Sequence, residues 1–225
     1  MSDILFLGPT AKLLRAAKFI DELEHLLVAF NSDSPFSARF DFATDPPQIV
    51  IDWKGIGHEA MAVLGDTVHN LRAALDLLAS ELARINGRSD RSVYFPFSAT
   101  MAEFPAAVAK RNFGRAGDDA VTLIHQIAPY RGGNELLRAI HDLDIEDKHT
   151  ALLETQKTID FEVSGSYDVT NPRQSEISHE VRSIQHCFRE GSPLQGQPVI
   201  ESLRKLHQEV ERVVEAFRAL VLRRE

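Results

Sequence analysis

Apolar residues recur at steps of three and four along most of the chain and at steps of two in a few short stretches. Leu13, Ala16, Ile20, Leu23, Leu27 and Phe30 keep the helical spacing. They predict an amphipathic helix over about residues 10–30, stopped by Asn31-Ser32-Asp33-Ser34-Pro35. The period then drops to two. Phe36, Ala38, Phe40 and Phe42 alternate with polar residues, as do Ile49, Ile51 and Trp53, with the turn signal Thr44-Asp45-Pro46-Pro47 between them. This pattern predicts a hairpin over about residues 36–54. An isolated hairpin is marginal, so its apolar face is expected to pack on helices.

The longest helix is predicted over about 58–86, ending at Asn86-Gly87, with Leu64, Leu71, Leu75, Leu78 and Leu82 as its buried stripe. A proline-marked loop follows around Tyr94-Phe95-Pro96-Phe97, then a short helix to about 110 opened by a Thr100/Glu103 capping box. Further helices are expected over about 118–128 and about 135–153, the second capped by Asn134. Alternation from Thr158 to Val163, and more weakly from Ile177 to Ile184, marks a β-containing insertion over about 157–190. Pro198 suits the first turn of a final helix over about 198–224. Its residues Leu203, Leu206, Val210, Val213, Phe217 and Leu220 form a coiled-coil-like seam. The expected fold is mainly α (α+β). It is one helical domain spanning 1–225, a bundle with an inserted hairpin and a second small β region.

Composition narrows the class. With 225 residues and 44% hydrophobic content the chain can build a normal core. Its single cysteine, Cys187, excludes an internal disulfide and a cysteine-rich zinc site. No apolar run approaches the roughly 20 residues of a membrane span, and the first residues do not read as a signal peptide, so a cytoplasmic protein is expected. The formal net charge of −8 disfavours general nucleic-acid binding, which draws on lysine and arginine. The seam of the last helix offers self-association as an alternative to packing within the monomer.

Two polar clusters interrupt the apolar helical pattern. The first is Gly65-Asp66-Thr67-Val68-His69-Asn70-Leu71-Arg72-Ala73-Ala74-Leu75-Asp76. A helix turns about 100° per residue, so Asp66, His69, Arg72 and Asp76 form one row bordering the leucine stripe. Gly65, Ala73 and Ser80 beside it are small enough to admit another helix closely. The second cluster is His141-Asp142-Leu143-Asp144-Ile145-Glu146-Asp147-Lys148-His149. Here Asp147 continues the apolar stripe Leu136, Ile140, Leu143, and a carboxylate there needs a cation or donors. Asp147 is therefore expected to face Arg72 or His69 across a helix–helix contact, making the clusters halves of one site.

The pattern Gly-Asp-x-x-His-Asn-Leu-Arg-x-x-Leu-Asp, followed by Pro129-Tyr130, a helix and Asp147-Lys148-His149, resembles a family of bacterial and phage-associated proteins of uncharacterised activity. The resemblance covers about residues 47–150 and brings no activity with it. A more distant likeness is to the HEPN superfamily of helical domains from toxin–antitoxin and phage-defence systems, some of which cleave RNA without metal. The mark of that superfamily is an arginine and a later histidine with four to six residues between them. This chain departs from it, because His69 precedes Arg72 and the only pair of suitable spacing is Arg173 to His179.

Three functions compete. A HEPN-like ribonuclease would use His69 as base, His141 or His149 as acid and Arg72 as phosphate clamp. Asp76 or Asp147 would orient its partner, with Asn70 and Lys148 positioning the substrate. A divalent-metal site would draw on Asp66, His69, His141, Asp144 and Asp147, although no Glu-x-x-His motif is present. In a non-catalytic interaction module, the clusters would be a buried network fixing helix register.

Overall fold

The computed structural model describes residues 5–33, 36–41, 43–44, 48–149, 153, 155–166, 168, 170–171 and 176–224. Six α-helices and two antiparallel two-stranded sheets lie among them. Helix α1 (Leu7–Ser32) leads into strands β1 (Phe36–Asp41) and β2 (Gln48–Trp53), followed by helix α2 (His58–Ile85). Helices α3 (Phe104–Lys110), α4 (Asp118–Ile127) and α5 (Glu135–His149) come next, with a 3-10 turn at Phe113–Ala116 between α3 and α4. Strands β3 (Thr155–Ser166) and β4 (Glu176–Phe188) form a second hairpin, and α6 (Val199–Leu222) closes the chain. The fold is mainly α, as the apolar spacing predicts.

Helix α2 is the axle. Its leucine stripe, Leu64, Leu71, Leu75, Leu78 and Leu82, is essentially inaccessible to solvent. Helix α1 packs along it, burying Leu13, Ala16, Ile20, Leu23 and Leu27. The seam of α6 is buried too: Leu203, Leu206, Val210, Val213 and Phe217 join one apolar core with residues of the other five helices. That seam packs within the monomer, against α1, α2, α4 and α5. Pro198 stands at the N-cap of α6 rather than in its first turn. The capping box expected before α3 is not formed; Glu103 occupies the N-cap without a side-chain hydrogen bond.

The loop between α2 and α3 is more than a connector. Val93, Phe95 and Phe97 are buried against the core, and the Phe95 ring meets Phe97 and Phe113 with centroids 5.2 and 6.2 Å apart. The loop is thereby pinned over the middle of α2, where the first polar cluster ends.

Helix α5 is described to His149, the backbone end of the second cluster. The predicted extension over 150–152 lies outside the described residues. The hairpins also differ from expectation. The buried Phe36 of β1 packs on the second hairpin, its ring 5.7 Å from Phe161 of β3. Ribbon stacks on ribbon because β1 contacts β4. The second hairpin is longer than its alternation suggests, pairing from Thr155↔Phe188 to Ser166↔Glu176 with a register shift at Asp160/Phe161. No helix among the described residues is long and apolar enough to cross a membrane. Cys187 is free and buried.

Candidate functional site

The two polar clusters do meet. Helices α2 and α5 pack antiparallel, so rising residue number on one matches falling number on the other. Along this seam Gly65 faces Asp147, His69 faces Asp144, and Arg72 lies near His141.

The expected partner of Asp147 is therefore corrected. His69 takes Asp144, with Nδ1 3.1 Å from Oδ1. Arg72 keeps to its own helix, with Nη1 2.7 Å from Asp76 Oδ1. Asp147 packs over Gly65, where a Cβ would lie 2.7 Å from its Cγ. The reason is register. Asp147 lies one turn beyond Asp144 toward the C-terminus of α5, so in an antiparallel pair it falls one turn before His69 on α2. Gly65 is there, and only glycine leaves room for the carboxylate. The small-residue signal at Gly65 thus marks a close approach, but by a side chain.

The outer half of the seam is reached by solvent. Asp144 is only 6% exposed, and each of its oxygens has a cationic or ring-nitrogen partner. Oδ1 meets His69, and Oδ2 accepts from Lys148 Nζ at 2.8 Å. The His69 side chain is 47% exposed. A carboxylate only accepts, so the contact assigns the proton of neutral His69 to Nδ1 and leaves Nε2 with a free lone pair. Asp147 Oδ1 is buried without a hydrogen-bond partner. Burial pushes the Asp147 carboxyl above the ordinary carboxylate range, and the nearby charges of Asp144 and Asp66 push the same way. Asp66 itself is exposed.

The inner half is closed. Arg72 is 6% exposed, and its guanidinium carbon stands 4.5 Å from the centroid of Phe97. The contact of Nη1 with Asp76 is close, yet its angle makes it a charge pairing rather than a directed hydrogen bond. Asp76 Oδ1 also accepts from the Phe95 backbone N–H at 2.9 Å, so the pair ties the loop to α2. The other face of Phe97 bears on His141, stacked at 4.7 Å with an interplanar angle of 5°. His141 Nδ1 is buried and unpartnered. Burial, reinforced by Arg72, Arg138 and Arg111 and opposed by Asp142, lowers its pKa to about 4. Burial therefore favours the neutral imidazole at this position.

The remaining candidates separate from this seam. Asn70 is buried against α1: it donates to the Asp66 carbonyl at 2.7 Å and accepts from Lys12 Nζ at 3.1 Å. Lys148 is brought into the site through Asp144. The side chain of His149 lies outside the described residues, as does Arg173 of the Arg173–His179 spacing. Among the described residues no three His, Cys, Asp or Glu side chains are placed to hold a metal ion. Within the metal set Asp66, His69, His141, Asp144 and Asp147, the Lys148 ammonium occupies the free oxygen of Asp144. Phe97, which links Arg72 to His141, gave no sequence signal, because a phenylalanine in a proline-marked loop reads as core. On the far side of α5, Arg138 and Arg131 both pair with Asp142.

No family model, no curated protein and no solved structure matches the chain.

Proposed function

We propose that the outer half of the α2–α5 seam is an acid–base centre that cleaves RNA through the 2′-hydroxyl without calling on a metal, in the manner of HEPN-like ribonucleases. One observation carries it: a half-exposed imidazole, His69, held through Nδ1 by a buried carboxylate, Asp144, with Nε2 left free. In this reading His69 Nε2 takes the 2′-hydroxyl proton as the oxygen attacks phosphorus. Asp144 holds the tautomer and stabilises the imidazolium that forms. Asp147, kept protonated more readily than an ordinary carboxyl, returns a proton to the departing 5′-oxygen. Lys148, 42% exposed, supplies positive charge to the phosphorane. Arg72 and His141 do not act on substrate; they hold the seam. With a net charge of −8 the chain relies on this local cation rather than on a general field.

The test is cleavage of single-stranded and hairpin RNA by purified full-length protein in EDTA. His69→Ala and Asp144→Asn are expected to lower the rate by roughly 100-fold or more while leaving thermal stability nearly unchanged for His69→Ala. Intact RNA after prolonged incubation with clean wild-type protein would sink the proposal. A second reading would then take its place: a non-catalytic helical module with a register lock. The burial of Arg72 between Asp76 and Phe97 favours that reading for the inner half.

A further inference from the structure

A second concave region lies away from the seam, between the two hairpins and the start of α2. It encloses about 740 Å³ and is lined by Lys54, Gly55, Ile56 and Met61 on one side and Thr155, Lys157, Ile159 and Phe161 on the other. That volume falls within the range of small-molecule sites. Successive odd residues of β3 reach it because side chains alternate along a strand.

We propose that this groove binds a small amphipathic monocarboxylate, with Lys157 as its counter-ion. Lys54 is already neutralised, its Nζ 3.2 Å from Asp33 Oδ2. Lys157 differs: its Nζ donates to the Lys54 carbonyl at 2.6 Å and stands 4.3 Å from the Phe30 centroid. No carboxylate pairs with it among the described residues. Burial lowers the Lys157 pKa, as expected of an ammonium short of both water and counter-charge. Thr155, two residues earlier on the same strand, also lines the groove, and its buried Oγ1 has no hydrogen-bond partner among the described residues. Ile56, Met61, Ile159 and Phe161 supply an apolar wall.

A positive charge with no carboxylate partner among the described residues matches one carboxylate; the wall matches a short apolar tail. A phosphate or nucleotide would ask for an arginine fork or a glycine-rich nest of backbone N–H groups, and the lining holds neither. A flat bilayer does not fit a recess between a ribbon and a helix.

The probes are decanoate, decanol and decylammonium, titrated calorimetrically into the full chain below their aggregation concentrations. Decanoate is expected to saturate, decanol to bind at least tenfold more weakly, and decylammonium not to bind. Lys157→Met should bring decanoate down to the decanol level while circular dichroism stays unchanged. Met61→Trp should fill the groove and weaken both. The proposal is overturned if decanoate does not saturate, or if decanol binds equally well. It is also overturned if decanoate binding survives Lys157→Met, or if the chain instead binds phosphatidylglycerol vesicles. Should Lys157→Met fail to fold, unaltered decanoate binding by Met61→Trp overturns it on its own.

Discussion

The two ends of the α2–α5 seam use the same residue types to opposite ends. At the inner end a cation, one carboxylate and an imidazole are packed together: Arg72 pairs with Asp76, lies on Phe97, and faces His141 across the ring. At the outer end the buried group is the carboxylate, Asp144, and the imidazole it holds, His69, stands in solvent. The inner arrangement leaves no open position for a substrate. The outer one leaves a nitrogen lone pair. Burial decides the difference: a charge removed from water must be compensated in place, whereas an exposed ring can exchange protons with what it meets.

A dispensable inner end would erase this difference between the two ends. Arg72→Ala should destabilise by about 3 kcal/mol or more, because it strips Asp76 of its cation and leaves a gap against Phe97. The shift in urea midpoint measures it. Gly65→Ala comes next, at about 2 kcal/mol, since its Cβ must displace Asp147. Most of that loss should be recovered in the Gly65→Ala/Asp147→Ala double variant, which a double-mutant cycle reads as coupling.

pH sharpens the contrast further. His141 has a folded pKa of about 4 against 6.5 in the unfolded chain. The unfolded state therefore takes up the proton first. Stability is unaffected above pH 6.5 and falls as pH drops from there toward 4, by on the order of 2 kcal/mol after allowing for partial exposure. His141→Gln should flatten part of this slope in unfolding curves collected across that range. His186, also buried and lowered to about 4, adds to the loss in the same direction.

Asp147 has the opposite sign from an ordinary paired carboxylate. Its folded pKa is raised, so its penalty is absent below the usual carboxylate range and appears as pH rises through the folded value. Asp147→Asn should raise the melting temperature at pH 7, with no gain at pH 3, while slowing RNA cleavage. The smallest stability effect belongs to His69→Ala, within about 0.5 kcal/mol by the same measurement. A large loss there would make the outer end as structural as the inner one.

Helical spacing made the elements legible. The leucine stripe of α2 and the seam of α6 are where their steps of three and four place them, because side-chain direction along a helix depends only on local geometry. The same geometry put His69, Arg72 and Asp76 in one row, and marked Asp147 as a carboxylate on an apolar stripe. Less was legible where structure is set by distant contacts. The hairpin of β1 and β2 chose the second hairpin as its support, and Phe97 became the plate between Arg72 and His141, through packing that no local window contains.

What the amino-acid order determined alone was a mainly helical chain carrying two polar rows that border its core. Which residue in one row meets which in the other was decided only by the folded register of α2 against α5. A slip of one turn, about 5.4 Å, would have given His69 to Asp147 instead of Asp144. That register is fixed by leucines interlocking across the whole bundle and by the room over Gly65, and both are properties of the packed molecule rather than of either helix.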